Sequence, residues 1–294
     1  MSQFDNKLKL ETYEAPIMDR AVRLSDYAVG IFKTITSRKG IKKAIKNGLI
    51  TINGNRGFTA DYIVGGEFLE LYQNDVIQKK PVIHIPIEVI YEDDYLAIIN
   101  KPPGILVSGN KKWTVENALP PHLKKSTQQD VLQRPEPIHR LDYPTSGTLL
   151  IGKTASSVVT LNKLFESRQI EKTYLAVSIG KMDKEGTIDL PIDEKTSRSF
   201  YTVLETVVSP KYGYFNLVKL KPETGRRHQL RKHLAIIGNP ILGDLLYGKE
   251  GFLLRGKGLY LHAVSLKFIH PFTCKQLIIK APIPKKFGKL FSNK

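Results

Sequence analysis

Hydrophobic and polar positions along this chain follow two periods, and each change of period marks an element. From Ser37 to Gly48, Ile41, Ala44 and Ile45 recur at i, i+3 and i+4, which predicts a short amphipathic helix. Ser37 is its expected N-cap and Asn47-Gly48 its stop. Leu49–Gly54 then reads as a strand running into an Asn-Gly turn, and Gly65-Gly66 leads an alternating strand over Phe68–Leu71. Residues 1–18 are roughly balanced in charge and are expected to be a flexible tail. Pro81 and Pro86 break the pattern over residues 79–86, which read as a linker.

Beyond the linker, Val89–Lys101 predicts two strands joined by the acidic turn Glu92-Asp93-Asp94, with Pro102-Pro103-Gly104 forcing a change of direction. Residues 109–137 are polar and proline-containing, and predict an irregular excursion with one helical piece near Val115–Leu119. The loop Tyr143-Pro144-Thr145-Ser146-Gly147 feeds an apolar strand. A helix follows over Thr154–Gln169, with Val158, Val159, Leu161, Leu164 and Phe165 as its core stripe. Strands are expected at Lys172–Val177, Tyr214–Leu220 and Leu259–Leu266. Between the last two lies a helix over Arg226–Ile237, with Leu230, Leu234 and Ile237 inward and Arg227 and Arg231 as an i, i+4 pair beside them. The expected class is α+β: a small α+β domain (19–78), then a mixed, mostly antiparallel sheet with flanking helices (87–285), and a basic tail (286–294).

Charge narrows the function. The 294 residues carry 45 Lys+Arg against 28 Asp+Glu, a formal net charge of +17, which points to an anionic partner. The excess is clustered. Lys33–Arg56 holds seven basic residues and no acid, Lys219–Lys232 six with one acid, and Lys267–Lys294 seven with none. On the first helix Arg38, Lys39, Lys42, Lys43 and Lys46 lie off the apolar stripe, an arrangement suited to phosphate contacts. Cys274 is the one cysteine, so an intramolecular disulfide and multi-cysteine zinc frameworks are excluded. The polar start lacks the core of a signal peptide, and no apolar run approaches the ~20 residues that span a bilayer. A cytoplasmic protein without membrane attachment is expected.

Two resemblances sharpen this. Arg23-Leu24-Ser25-Asp26, Ser37-Arg38-Lys39 and Ile45–Gly54 together resemble the alpha-L RNA-binding motif found in a small-subunit ribosomal protein and in several RNA-modifying enzymes. It covers residues 19–78, with Ser25 where that family often has Asp. His139-Arg140-Leu141-Asp142 followed by Thr145-Ser146-Gly147 resembles the catalytic motif of the RluA family of pseudouridine synthases. Glu171–Ala176, Thr224–His233 and Asn239–Asp244 match that family in order, as do Tyr91–Asp94 and Asn100–Gly104 at the domain opening. The resemblance spans residues 86–284. Tyr143-Pro144 departs from the charged pair common in the family's loop.

The second resemblance implies conversion of uridine to pseudouridine in RNA, an isomerisation that needs no cofactor and no metal. It implies Asp142 as the essential catalytic group, Arg231 as its ion-pair partner, Tyr174 and Leu261 as the two sides of the base pocket, and Arg140 as a residue filling the space the base leaves. Arg227 joins the lysine helix as an RNA contact, and the histidines 139, 228 and 233 read as structural. Large-subunit ribosomal RNA is the expected substrate, with tRNA as the alternative and a non-catalytic RNA-binding or ribosome-assembly factor as the competing class. The protein is expected to act as a monomer.

Overall fold

The computed structural model describes residues 7–35, 37–74, 81–254 and 256–291. The chain divides into two compact units, Met1–Lys79 and Lys80–Lys294.

In the first unit the elements run β1 (Lys7–Glu14), β2 (Val22–Arg23), α1 (Leu24–Tyr27), α2 (Arg38–Lys46), β3 (Ile50–Ile52), β4 (Asn55–Arg56), β5 (Tyr62–Ile63) and β6 (Phe68–Asn74). The strands β1-β6-β3-β4 form an antiparallel sheet, and β2 pairs with β5. Helix α2 forms as its sequence dictates. The Ser37 hydroxyl accepts the Gly40 N–H at 3.1 Å, Ile41, Ala44 and Ile45 are buried, and its lysines are exposed. The Asn53-Gly54 turn takes positive φ at both residues, the geometry a tight hairpin requires.

Residues 7–14 are not a tail. They form β1, paired along its length with β6 and anchored by Lys9–Glu70 at 2.7 Å and by Glu11, which accepts the Lys33 and Thr34 N–H groups. Leu8 and Leu10 point outward, so the strand's apolar positions carry no burial signal. Residues 1–6 lie outside the described residues.

The second unit contains β7 (Glu88–Glu92), β8 (Leu96–Lys101), α3 (Val115–Ala118), β9 (Val131–Pro137), β10 (Ser146–Thr154), α4 (Ala155–Glu166), β11 (Glu171–Ile179), β12 (Glu185–Asp189), β13 (Arg198–Ser209), β14 (Gly213–Pro222), α5 (Gln229–Ile236), β15 (Leu261–Ile269), β16 (Gln276–Lys280) and α6 (Lys285–Phe291). Among the described residues these give a ten-stranded sheet in the order β12-β13-β14-β11-β15-β10-β8-β7, with β16 beside β15 and β9 beside β10. Every pairing is antiparallel except β10 with β15, where Ser146 and Gly147 meet His262 and Ala263. That parallel contact explains Gly147. Its φ is +115°, and a Cβ there would stand 2.1 Å from the Ala263 carbonyl oxygen.

Several expectations are corrected here. The stretch 109–137 is not wholly irregular, because Val131–Pro137 forms β9; as an edge strand that pairs, among the described residues, with β10 alone, it tolerates Pro135 and Pro137. Residues 81–86 are not a free linker, since Ile83 is buried and its N–H donates to the Asn117 carbonyl at 3.1 Å. Residues 79 and 80 lie outside the described residues. Within α4, Val159 faces solvent, whereas Leu161 is fully buried. The basic tail contains α6, whose Phe287 is buried against Tyr260; residues 292–294 lie outside the described residues. The helix read over Arg226–Ile237 begins only at Gln229, because His228 takes a left-handed φ of +57°. Arg227 therefore precedes the helix.

Candidate active site

Strands β11, β14 and β15 and helices α4 and α5 converge on a cleft of about 700 Å³. Asp142 sits on the loop before β10, where its carbonyl accepts the Thr145 N–H at 3.0 Å to close the turn. His139 ties the loop to the sheet: its Nε2 accepts the Leu150 N–H at 3.1 Å, and its ring lies 4.8 Å from Phe165. Burial pushes the His139 pKa down to about 3, so it is neutral at physiological pH. Lys101 closes the loop from below. Fully buried at the end of β8, it donates to the carbonyls of Pro102 (2.9 Å), Thr145 (2.8 Å) and Tyr143 (3.4 Å). Burial lowers its pKa to about 7, against the upward pull of Asp142.

Arg231 reaches the carboxylate from α5. Its Nη1 donates to Asp142 Oδ2 at 3.2 Å, across a sequence separation of 89 residues. Its Nε and Nη2 form a bidentate fork with Asp244, at 2.7 Å and 2.8 Å. Burial opposes the Arg231 charge, but Asp244 and then Asp142 outweigh it and hold the pKa above the usual arginine value. On the other side of the carboxylate, His228 Nε2 lies 3.8 Å from Asp142 Oδ1. Burial lowers the His228 pKa, and the Asp142 charge only partly offsets it. The turn ahead of α5 is held by Gln229, whose Oε1 accepts from the Thr224 hydroxyl and the Arg226 N–H while its Nε2 donates to the Arg198 carbonyl and the Ser199 hydroxyl.

Tyr174 on β11 and Leu261 at the start of β15 line the same cleft, and register explains why: Tyr174 pairs with Ala263, two residues from Leu261. Burial, then the Asp142 charge, raises the Tyr174 pKa, so the phenol stays neutral. Arg140 and Arg227 are exposed on the cleft wall, joined there by Arg168, which also pairs with Glu223 at 2.6 Å. The Asp142 carboxylate thus stands at the floor of a cleft with an aromatic and an aliphatic wall and a cationic rim. Such a cleft can take a planar base flanked by phosphates.

The structure thus brings Asp142, Arg231, Tyr174, Leu261, Arg140 and Arg227 together. The other candidates, Arg38, Lys39, Lys42, Lys43 and Lys46, lie on α2 in the first unit; all are exposed, and Arg38 pairs with Asp26 at 2.5 Å. Sequence reasoning missed Lys101, Asp244 and the proximity of His228 to Asp142. The two histidines read on that helix part company: His228, ahead of it, faces the carboxylate, and His233 is buried in a network with Ser197 and Ser199. A lysine closing an apolar strand just before Pro-Pro-Gly was a usable signal for Lys101. The positions of Asp244 and His228 follow from tertiary contacts.

Comparison with known proteins places the chain in a family. Residues 95–236 match the family described as RNA pseudouridylate synthase. The chain is 30% identical over 306 residues to the ribosomal large subunit pseudouridine synthase D of Nitrosomonas europaea, covering 95% of this chain and 87% of that one. It is also 30% identical over 236 residues to the tRNA pseudouridine synthase C of Vibrio parahaemolyticus, covering 71% and 95%. The solved human RNA pseudouridylate synthase domain containing 4 superimposes with a TM-score of 0.55 at 25% identity, over 68% of this chain and 90% of that one. The chain belongs to the RNA pseudouridylate synthase family, and its activity is that of an isomerase acting on RNA.

Proposed function

We propose that the protein converts uridine to pseudouridine in large-subunit ribosomal RNA, with Asp142 as its catalytic residue. The observation that carries this is the Asp142 carboxylate held at 3.2 Å by Arg231 on the floor of the cleft. The isomerisation breaks the bond from N1 to the sugar, turns the base and joins carbon 5 to the sugar. The carbon 5 proton is lost and N1 gains one, so atoms balance without a cofactor. Asp142 serves this exchange as nucleophile or as base, and either role needs it ionised.

A uridine in folded RNA must leave its stack to reach the cleft floor, at a cost of a few kcal/mol. Tyr174 stacks on the extruded base, Leu261 closes the opposite side, and Arg140 occupies the space the base vacates. The exposed lysines of α2, with Arg38, and Arg227 on the cleft wall contact phosphates. The first unit acts as the alpha-L RNA-binding module, and the protein works as a cytoplasmic monomer.

The choice of ribosomal RNA rests on the extent of likeness. The alignment with the Nitrosomonas enzyme runs through both units, whereas the tRNA enzyme matches 71% of this chain at 95% of its own length. The test is tritium release from [5-³H]uridine-labelled transcripts. Release from large-subunit rRNA and none from tRNA is expected. Release from tRNA alone would overturn the substrate, and release from neither would favour a binding or assembly factor.

A further inference from the structure

Asp244 and Tyr247 pack against Arg231, His228 faces Asp142, and none of the three has a part in the isomerisation steps themselves. We propose that they are positioning residues forming a closed ring with Arg231 that fixes the Asp142 carboxylate, reserving Oδ2 for Arg231 and leaving Oδ1 as the reacting oxygen. The inference rests on the assignment of Asp142 as catalytic.

The ring can be followed atom by atom. A guanidinium offers five N–H donors in a rigid plane. Asp244, with a fully buried side chain, takes two of them in a fork, and this sets the plane and hence the direction of Nη1 toward Asp142 Oδ2. Asp244 Oδ1 also accepts the backbone N–H of Leu246 at 3.0 Å and of Tyr247 at 3.2 Å. The same carboxylate therefore orients Arg231 and pins the turn that carries Tyr247. The Tyr247 ring lies 5.1 Å from the Arg231 guanidinium carbon, and its hydroxyl is 2.9 Å from His228 Nδ1. His228 completes the circuit with Nε2 at 3.8 Å from Asp142 Oδ1.

This geometry selects a tautomer. The Asp142 carboxylate facing His228 Nε2 favours a proton there, which leaves Nδ1 to accept from the Tyr247 hydroxyl. The Nε2–H then faces Oδ1 beyond hydrogen-bond reach. It biases the carboxylate's rotation without occupying the oxygen, which remains open to substrate. The backbone agrees: His228 is held with φ at +57°, a conformation uncommon outside glycine that is retained where the surroundings require it. The ionisable groups facing His228 are Asp142, Arg231, Arg227, Asp244 and Tyr247. Protonating His228 would draw Oδ1 into an ion pair and withdraw it from reaction. Burial lowers the His228 pKa and so opposes that protonation.

The test uses the full chain, large-subunit rRNA transcribed with [5-³H]uridine, and the variants Tyr247→Phe and His228→Gln, with Asp142→Asn run beside them. Tyr247→Phe removes one hydroxyl and leaves the ring packed, so folding is preserved. Each ring variant is expected to lower kcat about tenfold or more, as a small displacement of a reacting group does, with KM within twofold. The double variant is expected to be no slower than the slower single variant, because both cut the same circuit. In His228→Gln the acid limb of the rate profile moves to lower pH. Wild-type kcat in both single variants, or losses that multiply in the double, would overturn the ring while leaving Asp142 catalytic. An active Asp142→Asn would instead overturn the assignment on which the ring rests.

Discussion

Arg231→Met isolates the energetics of the site. Arg231 and Asp244 are 4% and 0% exposed at their side chains, and Asp142 is 16% exposed. Methionine keeps much of the apolar stem but deletes the guanidinium, and with it the fork to Asp244 and the bond to Asp142. Two carboxylates then face each other with no cation between them. Removing one partner of a buried pair costs about 3–5 kcal/mol, because the remaining charge stays desolvated. In a domain of this size each kcal/mol lowers the midpoint by about 2–4 °C, so a fall of about 6–20 °C is expected. Calorimetry of the full chain at pH 7 reads it directly. Two controls sharpen it. Asp142→Asn keeps the Asp244 fork and should cost only about 1–2 kcal/mol. Arg231→Met combined with Asp244→Asn removes the fully buried charge, keeps an acceptor for the Leu246 and Tyr247 N–H groups, and should regain most of the loss. A fall below about 2 °C for Arg231→Met, or a double variant no more stable than the single, would refute the reasoning.

Three further predictions follow from particular contacts. Replacing Lys39, Lys42, Lys43 and Lys46 by alanine should reduce RNA affinity and flatten its salt dependence by about 0.7–0.9 in log–log slope per lost phosphate contact, as read by titration at several salt concentrations. An unchanged slope would make α2 a solvated face only. Gly147→Ala should destabilise the second unit by at least about 2 kcal/mol in urea unfolding, since φ is +115° and the Ala263 carbonyl blocks the new methyl; wild-type stability would contradict the parallel contact. Lys101 gives a pH signature. Its folded pKa of about 7 lies below the ordinary 10.5. Below 7 both folded and unfolded chains carry the charge, and the folded chain bears its desolvation. Between 7 and 10.5 the unfolded chain holds the proton more tightly, so this residue makes stability rise with pH. Lys101→Met should abolish that share of the rise between pH 7 and 9.5, and parallel curves for the two proteins would count against it.

Much of this fold was legible because local signals agreed with tertiary packing. Helix α2 has its cap, its stripe and its stop in sequence, and the structure uses all three. The misses share a physical cause. In β1 the leucines face outward and pairing with β6 supplies the order, so alternation carries no information about burial. Prolines in β9 signal a break, yet an edge strand accommodates them. Strand β13, unread in sequence, leaves Phe200, Leu204 and Val208 exposed and follows no clean period. The false start of α5 turns on one left-handed histidine, which no helical pattern reveals. At the site, resemblance led to Asp142, Arg231 and Tyr174. Asp244 and His228 needed coordinates, because the contacts that place them against Arg231 and Asp142 are tertiary.

The central claim is that Asp142 performs the isomerisation. Asp142→Asn replaces one oxygen by nitrogen, removes the charge and leaves Arg231 forked to Asp244. Tritium release from [5-³H]uridine-labelled large-subunit rRNA, measured beside RNA binding on the same preparation, tests it most directly. Release is expected to be lost while affinity stays within about twofold, because the phosphate contacts that dominate affinity are untouched. Release at the wild-type rate would contradict the claim.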